Sequence, residues 1–176
     1  MGQIESRACI VKCLDIYCLY VQLETAVKLE EEIVQKSFTD EFHKLGVNLQ
    51  FTAAFHRTEF RGRLDPHGIS PEQFNILRIL MGQHPNPASA KLVMERMIDK
   101  SSNVSRLVEK LRIKGLVTRT ACDQDRRAVD LTITTTGLDV LAQLDEEMEA
   151  KPMSLGEHLT TAEAKRLNIL LDRCRG

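Results

Sequence analysis

Several features are scarce or missing in this sequence. It has no tryptophan, and aromatic residues are only 5% of its 176 residues. It contains no glycine-rich phosphate loop, no G-x-S-x-G nucleophile elbow, no H-E-x-x-H zinc motif and no spaced carboxylate pair that implies a pocket. The chain is also too short for two ordinary enzyme domains. We therefore expect one functional unit that is not an enzyme and needs no cofactor.

The cysteines do not form the pattern of a disulfide scaffold or a metal site. There are five, an odd number, with no C-x-x-C pair and no histidine at zinc-finger spacing. Three of them fall within the first 18 residues, whereas a disulfide scaffold would distribute them through the domain. We predict reduced thiols, as in cytoplasmic proteins, and no metal.

The first apolar stretch is not a membrane anchor. Residues 8–23 are rich in apolar side chains, but Lys12 and Asp15 interrupt them. Each ionisable group at the centre of a bilayer costs about 3 kcal/mol or more. No small-residue cleavage site follows, so a secretory signal is also disfavoured. We expect a cytoplasmic protein without membrane association.

The composition changes at Lys28, where an acidic amphipathic stretch begins. We treat residues 1–27 as an extension outside the working fold, and residues 28–176 as the functional domain. One hypothesis is that the natural product begins at Val27, from an alternative initiation codon. The alternative is an added N-terminal helix that packs on a dimer. Intact mass of the protein from its native source separates them, because a chain beginning at Met1 excludes the first.

Charge is unevenly distributed although the net charge is only −1. Residues 86–130 hold 10 basic and 6 acidic side chains, whereas residues 1–85 hold 9 and 11 and residues 131–176 hold 5 and 8. A basic segment between two acidic ones is what phosphate neutralisation requires, although an ordinary mixed-charge surface produces such swings too.

Helical periodicity and capping signals predict most of the fold. The predicted helices span residues 39–63, 70–81, 88–97, 101–114 and 136–150, followed by a last helix that a capping box opens at Thr160. The helix over 39–63 carries apolar residues on two sides, which suggests contact with a partner subunit as well as with its own core. Two β-prone runs, 116–121 and 128–134, form a hairpin with a basic tip.

A short helix, a tight turn and a second helix with a small-polar and basic outer face form a helix-turn-helix, and the hairpin adds a wing over residues 116–135. The fold class is therefore mainly α, with a small β component. The helix over 101–114 is predicted to lie in the major groove of double-stranded DNA. Its candidate contacts are Ser101, Ser102, Asn103, Ser105, Arg106 and Lys110. The alternative is an ordinary surface helix with a solvated face.

The wing tip carries Asp125, Arg126 and Arg127. An arginine at the end of a rigid ribbon can enter the narrow minor groove, where negative potential is concentrated. Asp125 would repel phosphate, and its predicted task is to pair with Arg127 and orient it. A winged helix used only for protein contacts is the alternative function, and it predicts binding that is insensitive to salt.

Four segments resemble the MarR family of regulators. They are Asn86-Pro-Ala-Ser, Asp99-Lys-Ser-Ser-Asn-Val-Ser-Arg-Leu-Val-Glu-Lys-Leu, Lys114-Gly-Leu-Val-Thr-Arg and Asp125-Arg-Arg-Ala-Val-Asp-Leu-Thr. The resemblance implies a homodimer joined by N- and C-terminal helices, here 39–63 and 136–175, with a winged helix-turn-helix over 70–135. It also implies a palindromic operator and a minor-groove arginine oriented by Asp-x-Arg, which falls on Asp125 and Arg127.

The resemblance further implies a repressor relieved by a small aromatic effector. His56, Phe60 and Phe74 are the candidates to line an effector crevice, with ordinary packing as the alternative for each. Other members sense oxidants through a cysteine near the start of the first long helix, but residues 19–121 contain no cysteine. Peroxide sensing by that route is therefore disfavoured, and Cys122 at the base of the wing is expected to be a bystander thiol.

Overall fold

The computed structural model describes residues 27–121 and 129–176, which form helices and one small antiparallel sheet. The helices are α1 (Leu29–Glu32), α2 (Glu41–Leu64), α3 (Pro71–Met81), α4 (Ala90–Arg96), α5 (Val104–Ile113), α6 (Thr135–Ala150), α7 (Leu155–His158) and α8 (Thr161–Arg175), and a 3-10 turn spans Asp65–His67. The strands are β1 (Ala88–Ser89), β2 (Val117–Ala121) and β3 (Val129–Ile133), in the order β1-β3-β2. The chain divides into two compact units, Met1–Ala53 and Ala54–Gly176, with the boundary inside α2.

The described part of the first unit is α1 and the first half of α2. Asp40 opens α2, because its Oδ1 accepts hydrogen bonds from the backbone N–H groups of Phe42 and His43, each at 2.8 Å. Glu30 Oε1 of α1 lies 2.5 Å from Nζ of Lys44 on α2. Phe42 on this half of α2 is an apolar side chain that is 84% exposed to solvent.

The hydrophobic core lies in the second unit, around α3. This helix packs against α4, α5, α6 and β3, and most of its apolar side chains are fully buried. The core side chains of lowest exposure are Leu64, Ile76, Leu77, Val93, Leu111, Leu131, Leu141 and Leu144. The winged lobe and the start of α6 therefore share one core.

The capping signals in the sequence are confirmed. Ser70 and Gln73 form a complete capping box at the start of α3, and Thr160 and Glu163 form a second one at the start of α8. Helices α2, α3 and α6 begin and end within two residues of their predicted bounds, and α8 begins directly after its predicted cap, Thr160. At the start of each of these helices, a capping side chain accepts a hydrogen bond from a backbone N–H no more than three residues further along the chain.

Two predicted helices begin later than expected. Residues 88 and 89 form strand β1 rather than helix, since Ala88 pairs with Leu131 of β3. The predicted hairpin is consequently part of a three-stranded sheet. The predicted helix over 101–114 begins at Val104, because the side chain of Asn103 caps it and residues before the cap are outside the helix.

The last strand and α6 are joined by a tight contact. Thr134 caps α6, its Oγ1 accepting from the N–H of Gly137 at 3.0 Å and donating to the carbonyl of Gly115 at 2.8 Å. A Cβ on Gly137 would lie 2.4 Å from the carbonyl oxygen of Leu116 and 2.8 Å from Cγ1 of Ile133. Glycine is therefore needed where α6 approaches the start of the wing.

Candidate nucleic-acid interface

Helix α5 has one buried face and one exposed face. Val104, Val108 and Leu111 are buried at the spacing of a single helical stripe. Ser105, Arg106 and Lys110 are all exposed. α5 packs against α3, α4 and β2, so this polar face is carried by a helix fixed on three sides.

The turn before α5 is held by its own side chains. Asp99 Oδ1 accepts from the backbone N–H of Ser101 at 2.9 Å and from its hydroxyl at 2.6 Å. These bonds from Ser101, the hydroxyl bond first, lower the pKa of Asp99 below its ordinary value against the opposing effect of burial. Asn103 Oδ1 accepts from the N–H of Arg106 at 3.1 Å.

The six predicted contact residues of this element therefore have different placements. Ser101 and Ser102 lie in the turn, Asn103 is the cap, and the three others lie on the helix. The turn leads directly into α5, so the six residues form one continuous segment that consists of the turn and the exposed face of the helix. Asn103 Oδ1 accepts the cap hydrogen bond, and its side-chain amide N–H groups can still donate to a ligand. The contacts of these six residues with DNA stay a prediction.

Three charged residues at the junction of α5 and the sheet were left out of the sequence-based site. Glu109 accepts two hydrogen bonds from Arg112, from Nε at 3.0 Å and from Nη2 at 2.8 Å. The pKa of Glu109 is lowered, first by this Arg112 bond and further by the charges of Arg112 and Arg119, against the effect of burial. The spacing of an acid and an arginine three residues apart on a helix was visible in the sequence, but Arg119 is brought near only by folding.

The sheet carries the wing. Residues of β2 and β3 pair in antiparallel register from Val117 with Ile133 to Ala121 with Val129. Cys122, Asp125, Arg126 and Arg127 lie outside the described residues, so the predicted orientation of Arg127 by Asp125 stays a prediction.

The candidate effector residues fall into two groups. The rings of Phe60 and Phe74 meet edge to face with centroids 5.2 Å apart, and both pack against the core. The guanidinium carbon of Arg78 lies 4.9 Å from the centroid of Phe74, and Arg78 also pairs with Asp145 of α6. Phe60, Phe74 and Arg78 therefore contact one another through an aromatic contact and a cation–π contact.

His56 has other neighbours. Its Nδ1 lies 3.5 Å from Oε2 of Glu59, without the geometry of a hydrogen bond, and has no hydrogen-bond partner among the described residues. Glu59 in turn accepts from the N–H and the hydroxyl of Ser154, at 2.9 and 2.8 Å, and these bonds lower its pKa. The structure thus brings Phe60 and Phe74 together and sets His56 beside a carboxylate.

The described residues contain neither a membrane-spanning helix nor a metal-binding cluster. None of the helices there is long and apolar enough to cross a membrane. No cluster of three or more histidine, cysteine, aspartate or glutamate side chains in that part of the chain has the arrangement needed to hold a metal ion.

Comparison with known proteins gives consistent matches. The model of the MarR family matches residues 67–128, from the end of α2 into the wing. A protein of Thauera aromatica, whose name assigns it transcriptional regulation of the hcr operon, is 28% identical over 106 residues, which are 60% of this chain and 63% of that protein. The chain thus matches less than two thirds of the length of that relative.

Solved structures of the same fold also match. A cysteine-to-serine variant of MarR from E. coli in complex with operator DNA has a TM-score of 0.68 at 21% identity, with 79% of this chain and 99% of that chain covered. BpsR of Bordetella bronchiseptica, studied for regulation of its DNA binding by 6-hydroxynicotinic acid, has a TM-score of 0.61 at 23% identity, covering 76% and 99%. These similarities confirm the predicted winged helix-turn-helix fold.

The named relatives are regulators rather than enzymes, as the sequence led us to expect. The family match covers the elements on which the sequence-based resemblance depended: the turn before α5, α5 itself and the start of the wing. Over residues 67–128 the chain is similar to the MarR family.

Proposed function

We propose that the chain is a cytoplasmic, dimeric transcriptional regulator that binds a palindromic operator in double-stranded DNA. The observation that carries the proposal is the exposed face of α5, where Ser105, Arg106 and Lys110 stand on a helix anchored by a buried stripe. Short polar side chains let the helix approach base edges, and Arg106 can donate two parallel hydrogen bonds to guanine or to a phosphate.

The DNA complex of E. coli MarR supports this orientation, because that protein shares the fold and its complex contains operator DNA. The relative from Thauera aromatica supports a role in transcription. We assign the major groove to α5 and the adjacent minor groove to the wing, with Arg126 and Arg127 at its tip and Asp125 orienting Arg127.

Exposed apolar side chains on two helices support a dimer. Phe42, Leu45 and Leu49 of α2 are exposed within their own unit, and Leu167, Ile169 and Leu170 of α8 are exposed within theirs. Side chains of this kind at helical spacing are expected to be covered by a second copy. Two copies on one face of a duplex predict half-sites about 10 base pairs apart.

The experiment is a gel-shift titration of the full chain on operator DNA selected from a random-sequence library. Arg106→Ala and Arg127→Ala should each weaken binding by roughly 1–3 kcal/mol while the dimer stays intact. Arg175→Ala on α8 is the control and should bind like the wild type, since Arg175 pairs with Asp172 away from α5. Unchanged binding by both interface variants refutes the assignment, and salt-insensitive binding favours the protein-contact alternative.

We further infer that a small aromatic molecule relieves repression. The support is BpsR, whose DNA binding is regulated by an aromatic acid, together with the cluster of Phe60 and Phe74 beside Arg78. The ring of an aromatic acid could take the place of one ring in the Phe60–Phe74 contact, and its carboxylate could pair with the guanidinium of Arg78. Titration of the DNA complex with aromatic carboxylates and phenols tests this, and Phe74→Ala should lower the sensitivity of the complex to the active compound. His56 stays a weaker candidate, because Glu59 already occupies its side.

A further inference from the structure

The junction of α5 and β2 carries a charged cluster whose residues are not among the predicted DNA contacts. It consists of Glu109 and Arg112 on α5 and Arg119 on β2, and is called here the junction cluster. Arg112 is 50% exposed and Glu109 is 44% exposed, so both reach solvent while bonded to each other. An exposed ion pair of this kind contributes little to the stability of the fold, so stability does not account for the position of Glu109 and Arg112.

The pleat of the sheet sets the direction of Arg119. Side chains on a strand alternate between the two faces, so Arg119 shares a face with Val117, which is buried. Its partner across the sheet is Leu131, which is also buried. β2 contacts α5, and the charge of Arg119 contributes to the lowered pKa of Glu109, so Arg119 lies on the part of the sheet that is near this helix.

Helical geometry places the other two members. At 100° per residue, Glu109 lies between Ser105 and Arg106 on the exposed face of α5, and Arg112 lies at the edge of that face, nearer the buried stripe. Arg112 donates Nε and Nη2 to Glu109, which holds the plane of the guanidinium and leaves Nη1 free of the pair. The cluster has two arginines and one carboxylate, so its net charge is positive.

DNA geometry then gives the cluster a partner. When a helix lies in the major groove and the adjacent wing lies at the minor groove, the sugar-phosphate strand that separates these grooves must pass between the helix and the wing. The junction cluster joins α5 to the first strand of the wing, which makes it the candidate for that place. We propose that Arg112 and Arg119 bind the phosphodiester backbone between the two grooves, with Glu109 as the positioning residue that orients Arg112.

The proposal rests on the proposed function and adds a second, sequence-independent contact to it. Phosphate contacts fix the register of a protein on the duplex but carry no base information. Arg112 and Arg119 should therefore affect operator and unrelated DNA to the same extent, unlike Arg106, whose contacts are to base edges in part. This difference makes the site testable apart from the recognition face.

The test measures the affinity of the full chain for its selected operator and for an unrelated duplex of equal length, between about 50 and 200 mM salt. Each phosphate contact contributes about 0.9 to the slope of log affinity against log salt. Arg112→Ala and Arg119→Ala should each lower the slope of the dimer by about 1.8, about 0.9 for each subunit, so each variant loses about 12-fold less affinity over that range than the wild type. Their ratio of operator to unrelated affinity should stay constant.

Three further variants separate a phosphate contact from other effects of substitution. Arg175→Ala removes an arginine that is bonded to an acid three residues before it, as Arg112 is, but on α8; it should leave the slope unchanged. Arg112→Lys keeps the charge and loses the paired bonds to Glu109, so its slope should match the wild type while its affinity falls a few-fold. Glu109→Ala should reduce the further effect of Arg112→Ala, since the positioning bond is then already lost.

The outcomes are distinct. A wild-type chain that binds neither duplex overturns the proposed function itself. A wild-type chain that binds DNA, with Arg112→Ala and Arg119→Ala matching it in affinity and salt slope, overturns only the junction site. A loss of operator affinity alone, with unrelated DNA unaffected, also overturns it, because the residues would then contact bases.

Discussion

Replacing Gly137 by alanine adds one methyl group where α6 meets the start of the wing. The new Cβ would lie 2.4 Å from the carbonyl oxygen of Leu116, whereas ordinary contacts begin at 3.4 Å, so one partner must move by about 1 Å. Because the obstacle is backbone, the cost is expected at the upper end of overpacking, about 3 kcal/mol. The substitution also stabilises the protein by about 0.4–1 kcal/mol, because alanine restricts the unfolded chain more than glycine does. The net destabilisation is about 2 kcal/mol.

Thermal unfolding followed by far-ultraviolet circular dichroism measures this effect. For a chain of this size about 2 kcal/mol lowers Tm by roughly 4–8 °C. Gly62→Ala is the matched control, because Gly62 is also helical and its added Cβ would meet nothing within 4 Å; its Tm should rise by roughly 1–4 °C. A Gly137→Ala chain as stable as the wild type would refute the claim that this approach requires glycine.

Two other changes test local structure. Asn103→Ala removes the cap that accepts from Arg106 N–H and should cost about 1 kcal/mol, seen as faster hydrogen exchange in the first turn of α5; unchanged exchange contradicts the cap. Glu59 has a pKa below its ordinary value of 4.5, chiefly because the backbone N–H of Ser154 donates a hydrogen bond to the ionised carboxylate. The ionised carboxylate therefore stabilises the fold above pH 4.5, and this contribution is lost as the pH falls through the lowered pKa. Glu59→Gln should therefore show a smaller fall in Tm on acidification below pH 4.5 than the wild type, and parallel curves would exclude this linkage.

Much of the helical framework was predictable because its signals are local. The capping boxes at Ser70 and Thr160 and the buried stripe of α5 are written within single helices, and the structure bears out each of them. A cap acts on backbone groups three residues away, so its effect does not depend on the rest of the fold. The same locality explains why four segments were enough to indicate the family.

The errors concern residues whose structure depends on partners far along the chain. Ala88 fits a helix by local preference, but it becomes a strand because Leu131 offers it a free edge of the sheet. The predicted DNA contacts did not include the junction cluster, part of which depends on the same kind of long-range pairing. Glu109 and Arg112 were visible as a helical pair, whereas the position of Arg119 beside them depends on the register of β2.

The sequence by itself determined where the main helices begin, which of their faces are apolar, and that a polar helix is followed by a β ribbon, because periodicity and capping act within a few residues. Only the tertiary structure decided that the ribbon gains a third strand, that Gly137 must stay without a side chain, and that Arg119 joins the charges of α5. These features arise when segments distant in sequence pack into one core, and their energies depend on contacts that exist only after folding.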